Sequence, residues 1–96
     1  MSDVMTEALA AMQEKFGNGF SAGTAKFVLE GEGALMLDGG GVRLGDEDAD
    51  VTLTADPDTF KAILEGETNP TAAFMTGKLK VDGDMGLAMQ LGNTLV

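Results

Sequence analysis

The hydrophobic pattern changes period twice along the chain. From Asp3 to Phe16 it is helical: Met5, Leu9, Met12 and Phe16 fall on one stripe, with Glu7 and Glu14 off it. Gly17 reads as the helix stop, and Asn18-Gly19 with Ser21-Ala22-Gly23 as a loop. From Thr24 the period becomes two. Ala25, Phe27 and Leu29 point one way, with Lys26 and Glu30 on the other side. The alternation restarts at Leu35 and Leu37 after Gly31-Glu32-Gly33, and at Val42 and Leu44 after Gly39-Gly40-Gly41. It resumes at Val51, Leu53 and Ala55 after the acidic Asp46-Glu47-Asp48. Four short strands with tight turns predict an antiparallel meander with one wet face and one buried face.

The second half turns helical. Asp56-Pro57 and Asn69-Pro70 each place an N-cap side chain before a proline at the first helical position. The first helix carries Phe60, Ile63 and Leu64 and stops at Gly66; the second carries Ala73 and Phe74 and stops at Gly77. Leu79 and Val81 then alternate with Lys78 and Lys80 as a fifth strand. Asp84 is the expected N-cap of a last helix through Met85, Leu87, Ala88, Met89 and Leu91. That helix is apolar nearly all round, so it has to be covered by protein or by an apolar ligand. With no internal repeat and no low-complexity linker, residues 1–96 form one domain of α+β class. Its expected architecture is a five-stranded, mostly antiparallel sheet covered on one face by helices.

Composition narrows the function. Without cysteine there is no disulfide and no thiolate, so apolar packing must supply stability. Seven methionines in 96 residues suit a cavity of adaptable shape as well as they suit ordinary core filling. Sixteen acids against six bases give a net charge of −10. That balance excludes a phosphate-backbone partner and basic docking on an anionic bilayer. No apolar run approaches the ~18 residues of a membrane span, and no signal-peptide pattern opens the chain. The ending Thr94-Leu95-Val96 is not a peroxisomal address, so the expected location is cytoplasmic.

Candidate chemistry is sparse. Histidine, cysteine, tyrosine and tryptophan are absent, and the two serines are Ser2 near the terminus and Ser21 in a loop. A Ser-His-Asp triad cannot be built, and acid/base work would fall to carboxylates or lysines. No catalytic residue, metal site or cofactor is expected. Asp46-Glu47-Asp48-Ala49-Asp50 offers oxygen ligands, but the glycine and glutamate of a calcium loop would fall on Val51 and Pro57. The cluster reads as turn residues before a strand. Gly39-Gly40-Gly41 is followed by a strand and no Lys-Ser or Lys-Thr, so it reads as a hairpin turn and not as a phosphate cradle. Asn69-Pro70-Thr71 is no glycosylation site, because proline occupies its middle position.

What remains is apolar surface, from the helices and from one sheet face. Packed tightly, it is only a small core. Gly86, Ala88 and Gly92 leave room beside the last helix, and a gap there would make an apolar tunnel.

The order of several segments resembles the sterol carrier protein 2 (SCP2) family of lipid-binding domains. They are Asp50-Val51-Thr52-Leu53, Asp56 with Phe60, Gly66, Asn69-Pro70, Ala73-Phe74, Gly77-Lys78-Leu79-Lys80 and Gly83-Asp84-Met85-Gly86-Leu87-Ala88-Met89. The match runs from Asp50 onward, and the size resembles small prokaryotic-type single-domain members. The resemblance implies an apolar tunnel between sheet and helices, and non-catalytic binding of sterols, fatty acids, fatty acyl-CoA or phospholipids. The chain departs from the family in three respects. The C-terminal extension of animal members is missing, Leu35 and Met36 stand where an aromatic residue is common, and the acidic balance disfavours a CoA ester. An uncharged lipid or a fatty acid is therefore the expected ligand.

The residues expected to line its site are Phe60, Ile63, Leu64, Phe74, Leu79, Val81, Met85, Ala88, Met89 and Leu91. Expected partners are the small-molecule lipid, with no nucleic acid and no stable membrane insertion; a homodimer or a partner enzyme stays open. The rival reading is an interaction or accessory module that docks through the last helix. A weaker third is an acid/base enzyme working through an aspartate in the tunnel.

Overall fold

A computed structural model describes residues 3–17 and 19–95. Ser2, Asn18 and Val96, which figure in the sequence reading, lie outside them. The elements run α1 (Asp3–Lys15), β1 (Ala25–Leu29), β2 (Gly33–Asp38), β3 (Gly41–Leu44), β4 (Val51–Ala55), α2 (Pro57–Leu64), α3 (Pro70–Met75), β5 (Leu79–Gly83) and α4 (Met85–Leu95). All five strands and all four helices of the sequence reading are present.

The sheet order is β3-β2-β1-β4-β5, and here the four-strand meander needs correction. Strands β1, β2 and β3 do form one, with Phe27 opposite Leu35 and Leu37 opposite Val42. Strand β4 instead pairs parallel to β1, Phe27 beside Leu53, and β5 closes the far edge antiparallel to β4. The sheet is mixed because the chain crosses from the β3 edge to β1 before it pairs again. Parallel neighbours need such a crossover.

That crossover is the acidic segment 45–50. It straps the outer face of the sheet, where Lys26 Nζ meets Asp46 Oδ1 at 2.9 Å and Arg43 Nη2 meets Glu47 Oε2 at 3.3 Å. Beneath it Met36 is fully buried, on the face opposite Leu35 and Leu37, with its Cγ close against Gly45. The sequence expectation of a wholly wet outer face therefore fails at Met36. At the end of the strap Asp50 Oδ2 accepts from the Thr24 amide at 3.0 Å, and the Asp84 amide donates to Asp50 O at 2.9 Å.

The helices cover the other face. Helix α1 lies over β2 and β3, while α4 lies over β4 and β5. Met5, Met12, Phe16, Phe27, Leu35, Leu53, Phe60 and Leu91 join one continuous core. Leu44 shares the inner face with Leu35 but ends an edge strand and stays 38% exposed, unlike buried Val42.

The local start signals act as expected. Asp56 Oδ1 accepts from the Thr59 amide at 3.0 Å, Asn69 Oδ1 from the Thr71 amide at 2.8 Å and Asp84 Oδ1 from the Leu87 amide at 3.1 Å. Each satisfies an orphan donor of a helix's first turn. The last helix departs from expectation. Leu87 and Leu91 are buried and Ala88 is half-buried, but Met85 and Met89 stand 47% and 70% exposed. The helix thus keeps a wet face, on which Met85 and Met89 stand with Gln90, Asn93 and Thr94.

Candidate functional site

Helix α1 sends Met5 and Met12 down onto the sheet, and Phe16 joins them just beyond its end. The adjoining stripe of Val4, Ala8 and Ala11 faces α2 and is short. Helix α2 answers with Pro57, Phe60 and Leu64, and Leu29 at the end of β1 contributes from the sheet. Small residues on one wall and larger ones on the other leave a groove of about 430 Å³ between the two helices. That lies within the ~300–1,000 Å³ of typical small-molecule sites.

Phe60 is the fixed point of the groove. Its ring meets Phe27 edge-on at 5.5 Å between centroids, which anchors α2 to the central strand. The interior is apolar and the rim is charged: Glu7 from α1, and Asp58, Lys61 and Glu65 from α2. Lys61 Nζ lies 4.0 Å from Glu65 Oε1. Glu7 and Asp58 form no ion pair with a cation among the described residues.

Of the ten residues expected to line a site, the structure brings Phe60 and Leu64 together in this groove. Ile63, Leu79 and Leu91 lie in the core, and Val81 and Ala88 are half-buried against it. Phe74, Met85 and Met89 are exposed. The groove residues that the sequence reading missed are Val4, Glu7, Ala8, Ala11, Leu29, Pro57, Asp58, Lys61 and Glu65. The available signal was the run of small residues beside the α1 stripe, with Val4, Ala8 and Ala11 at i, i+4 and i+7.

Two carboxyl groups are pulled below the ordinary range, and both serve structure. Asp56 is held down by hydrogen bonds from Thr59, as the cap of α2. Asp38 is held down by Arg43, whose Nη1 lies 2.6 Å from Asp38 Oδ2 on the hairpin. Neither lines the groove. Among the described residues no polar or charged side chain is buried, and no cluster of three acids could hold a metal ion. The arrangement can sequester apolar matter.

The model of the SCP-2 sterol transfer family matches residues 9–96. Hydroxysteroid dehydrogenase-like protein 2 of Xenopus laevis is 43% identical over 81 residues, which cover 76% of this chain and 19% of that protein. Human sterol carrier protein 2 is 50% identical over 48 residues, covering 50% of this chain and 9% of that protein. The chain thus spans about a fifth or less of these curated relatives. The solution structure of sterol carrier protein-2 from Aedes aegypti in complex with palmitate superposes with a TM-score of 0.78. It is 23% identical and covers 100% of this chain and 97% of its own, a likeness of fold.

Proposed function

The chain belongs to the SCP-2 sterol transfer family, and from that premise we propose that it is a non-catalytic carrier that holds one apolar lipid chain, and passes it on, through the groove between α1 and α2. The observation that carries the reading is the groove itself: about 430 Å³ of apolar concavity in a domain whose described acids all lie at the surface. At ~30 Å³ per liquid water, that volume has room for on the order of a dozen methylene-sized groups. Each methylene taken from water contributes ~0.8 kcal/mol, enough to hold an acyl or isoprenoid-like chain without a catalytic centre. The Aedes aegypti relative of the same fold is solved with palmitate, which supports a fatty-acyl-sized occupant.

Native mass spectra of the purified protein, followed by titration of the stripped protein with a fluorescent fatty alcohol, test this reading. A carried lipid, or saturable binding at one site, is expected. The absence of both defeats it.

The second reading is docking through α4, in which the exposed Met85 and Met89 meet a second copy of the chain. Phe74 and Met75 of neighbouring α3, 43% and 79% exposed, are the observation in its favour. Concentration-dependent association by analytical ultracentrifugation, abolished by Met89→Asp, is its expected signature. A monomer at every concentration ends it.

A further inference from the structure

The charge on the groove's rim bears on which head group a bound chain can carry. Four ionisable side chains surround the opening: Glu7 on α1, and Asp58, Lys61 and Glu65 on α2. Lys61, the single cation of the four, already has Glu65 at 4.0 Å, and so its charge is offset. Glu7 and Asp58 face the opening from opposite walls without a cationic partner among the described residues. Lys78 and Lys80 border a neighbouring depression with Asp58 but do not line this groove, and the chain as a whole, at a net charge of −10, offers the two carboxylates little relief. A head group leaving the apolar interior meets a rim on which those two carboxylates stand.

Resting on the lipid-carrier reading, we propose that this groove selects its occupant by head-group charge, taking single-chain amphiphiles without negative charge in preference to a carboxylate of the same length. The tail supplies affinity by burial and is the same for every head, so the rim decides among them. Like charges at close range repel even in water, and salt weakens the repulsion because the rim is exposed. An alcohol or ester head incurs no such repulsion. A protonated amine gains attraction at the same place. The palmitate held by the Aedes aegypti relative does not bear on this rim, because that chain is only 23% identical.

Displacement of the neutral dye Nile red by dodecanol, dodecylamine and dodecanoate, each below its aggregation threshold, tests the proposal. In 10 mM salt, dodecanoate is expected to displace the dye about tenfold less well than dodecanol, with dodecylamine at least equal to the alcohol. In 300 mM salt the gap narrows to about twofold. The double variant Glu7→Gln/Asp58→Asn removes most of the gap. The control Asp48→Asn/Asp82→Asn changes net charge equally on the opposite face of the sheet and leaves the gap in place.

Dodecanoate binding as well as dodecanol overturns the proposal and leaves the carrier reading standing. The control pair closing the gap as fully as the rim pair also overturns it, since the field of the whole molecule would then be responsible. Failure of all three amphiphiles to displace the dye removes both readings.

Discussion

Filling the groove from the α1 side separates a site between α1 and α2 from one beneath α4. Ala11 is half-buried on the groove wall, so Ala11→Phe projects six extra ring carbons into the space. If those carbons exclude about four methylenes of a bound chain, the loss is ~3 kcal/mol at ~0.8 kcal/mol each, about 200-fold in Kd. The substitution introduces no cavity and no buried polar group, so the fold should tolerate it with a melting temperature near the parent's. Displacement of a neutral fluorescent lipid gives the affinity, and thermal unfolding gives the control. Ala88→Phe is the counterpart at the α4 seam and should leave Kd within about threefold, provided that variant also melts cooperatively. A folded Ala11→Phe protein that binds as tightly as the parent refutes the location between α1 and α2. Loss of binding in Ala88→Phe alone would move the site under α4, where the sequence pattern pointed.

Three further outcomes test the framework around the groove. Asp56→Ala removes the cap of α2 and should cost ~1 kcal/mol, a fall of about 4–8 °C in Tm for a domain of this size. Because folding depresses the Asp56 carboxyl below its ordinary value, its contribution is complete above that value and fades as pH falls below about 4. The parent and variant unfolding curves should therefore converge in acid and separate at neutral pH. Gly83→Ala should cost about 3 kcal/mol or more by denaturant unfolding, since φ is +106° there and a new Cβ would run into the Asp50 backbone carbonyl. Gly31→Ala, at φ +79° with open space around it, should cost only ~1–2 kcal/mol by the same measurement. Under the strap, Met36→Ala should destabilise by ~2–5 kcal/mol, whereas Asp46→Ala, which removes the largely exposed member of the ion pair with Lys26, should cost less than ~1 kcal/mol.

Local physics was legible in the chain and non-local physics was not. Asp56, Asn69 and Asp84 act through bonds to amides two or three residues ahead, so a short window of sequence carries the whole signal. The alternation in each strand likewise declared its inner face. Strand pairing is a different matter: nothing in Val51–Ala55 says that its neighbour is β1 and not β3. The fate of Met36 follows from that pairing, because only the crossover from β3 to β4 brings segment 45–50 over it. The groove was illegible for the same reason. It lies between residues 4–11 and 57–65, two elements whose contact depends on the finished sheet. Phe60 and Leu64 stood out as large apolar residues, while their opposite wall, Ala8 and Ala11, is notable only for what it lacks.

Shape, and not hydrophobicity, decides where a lipid chain can be held. The most hydrophobic helix, α4, turns Leu87 and Leu91 into the core and offers solvent the tips of Met85 and Met89. On such an outward face a methylene keeps water on its far side and realises only part of its ~0.8 kcal/mol. Between α1 and α2 the same methylene would have Ala8 and Ala11 on one side and Phe60 and Leu64 on the other, and would lose water on both. A less hydrophobic helix with a row of small residues therefore makes the better wall. On the rim proposal, charge would act locally at the opening, through Glu7 and Asp58. On the carrier proposal, affinity would follow from the alanines of α1, and choice among ligands from the carboxylates on the two walls.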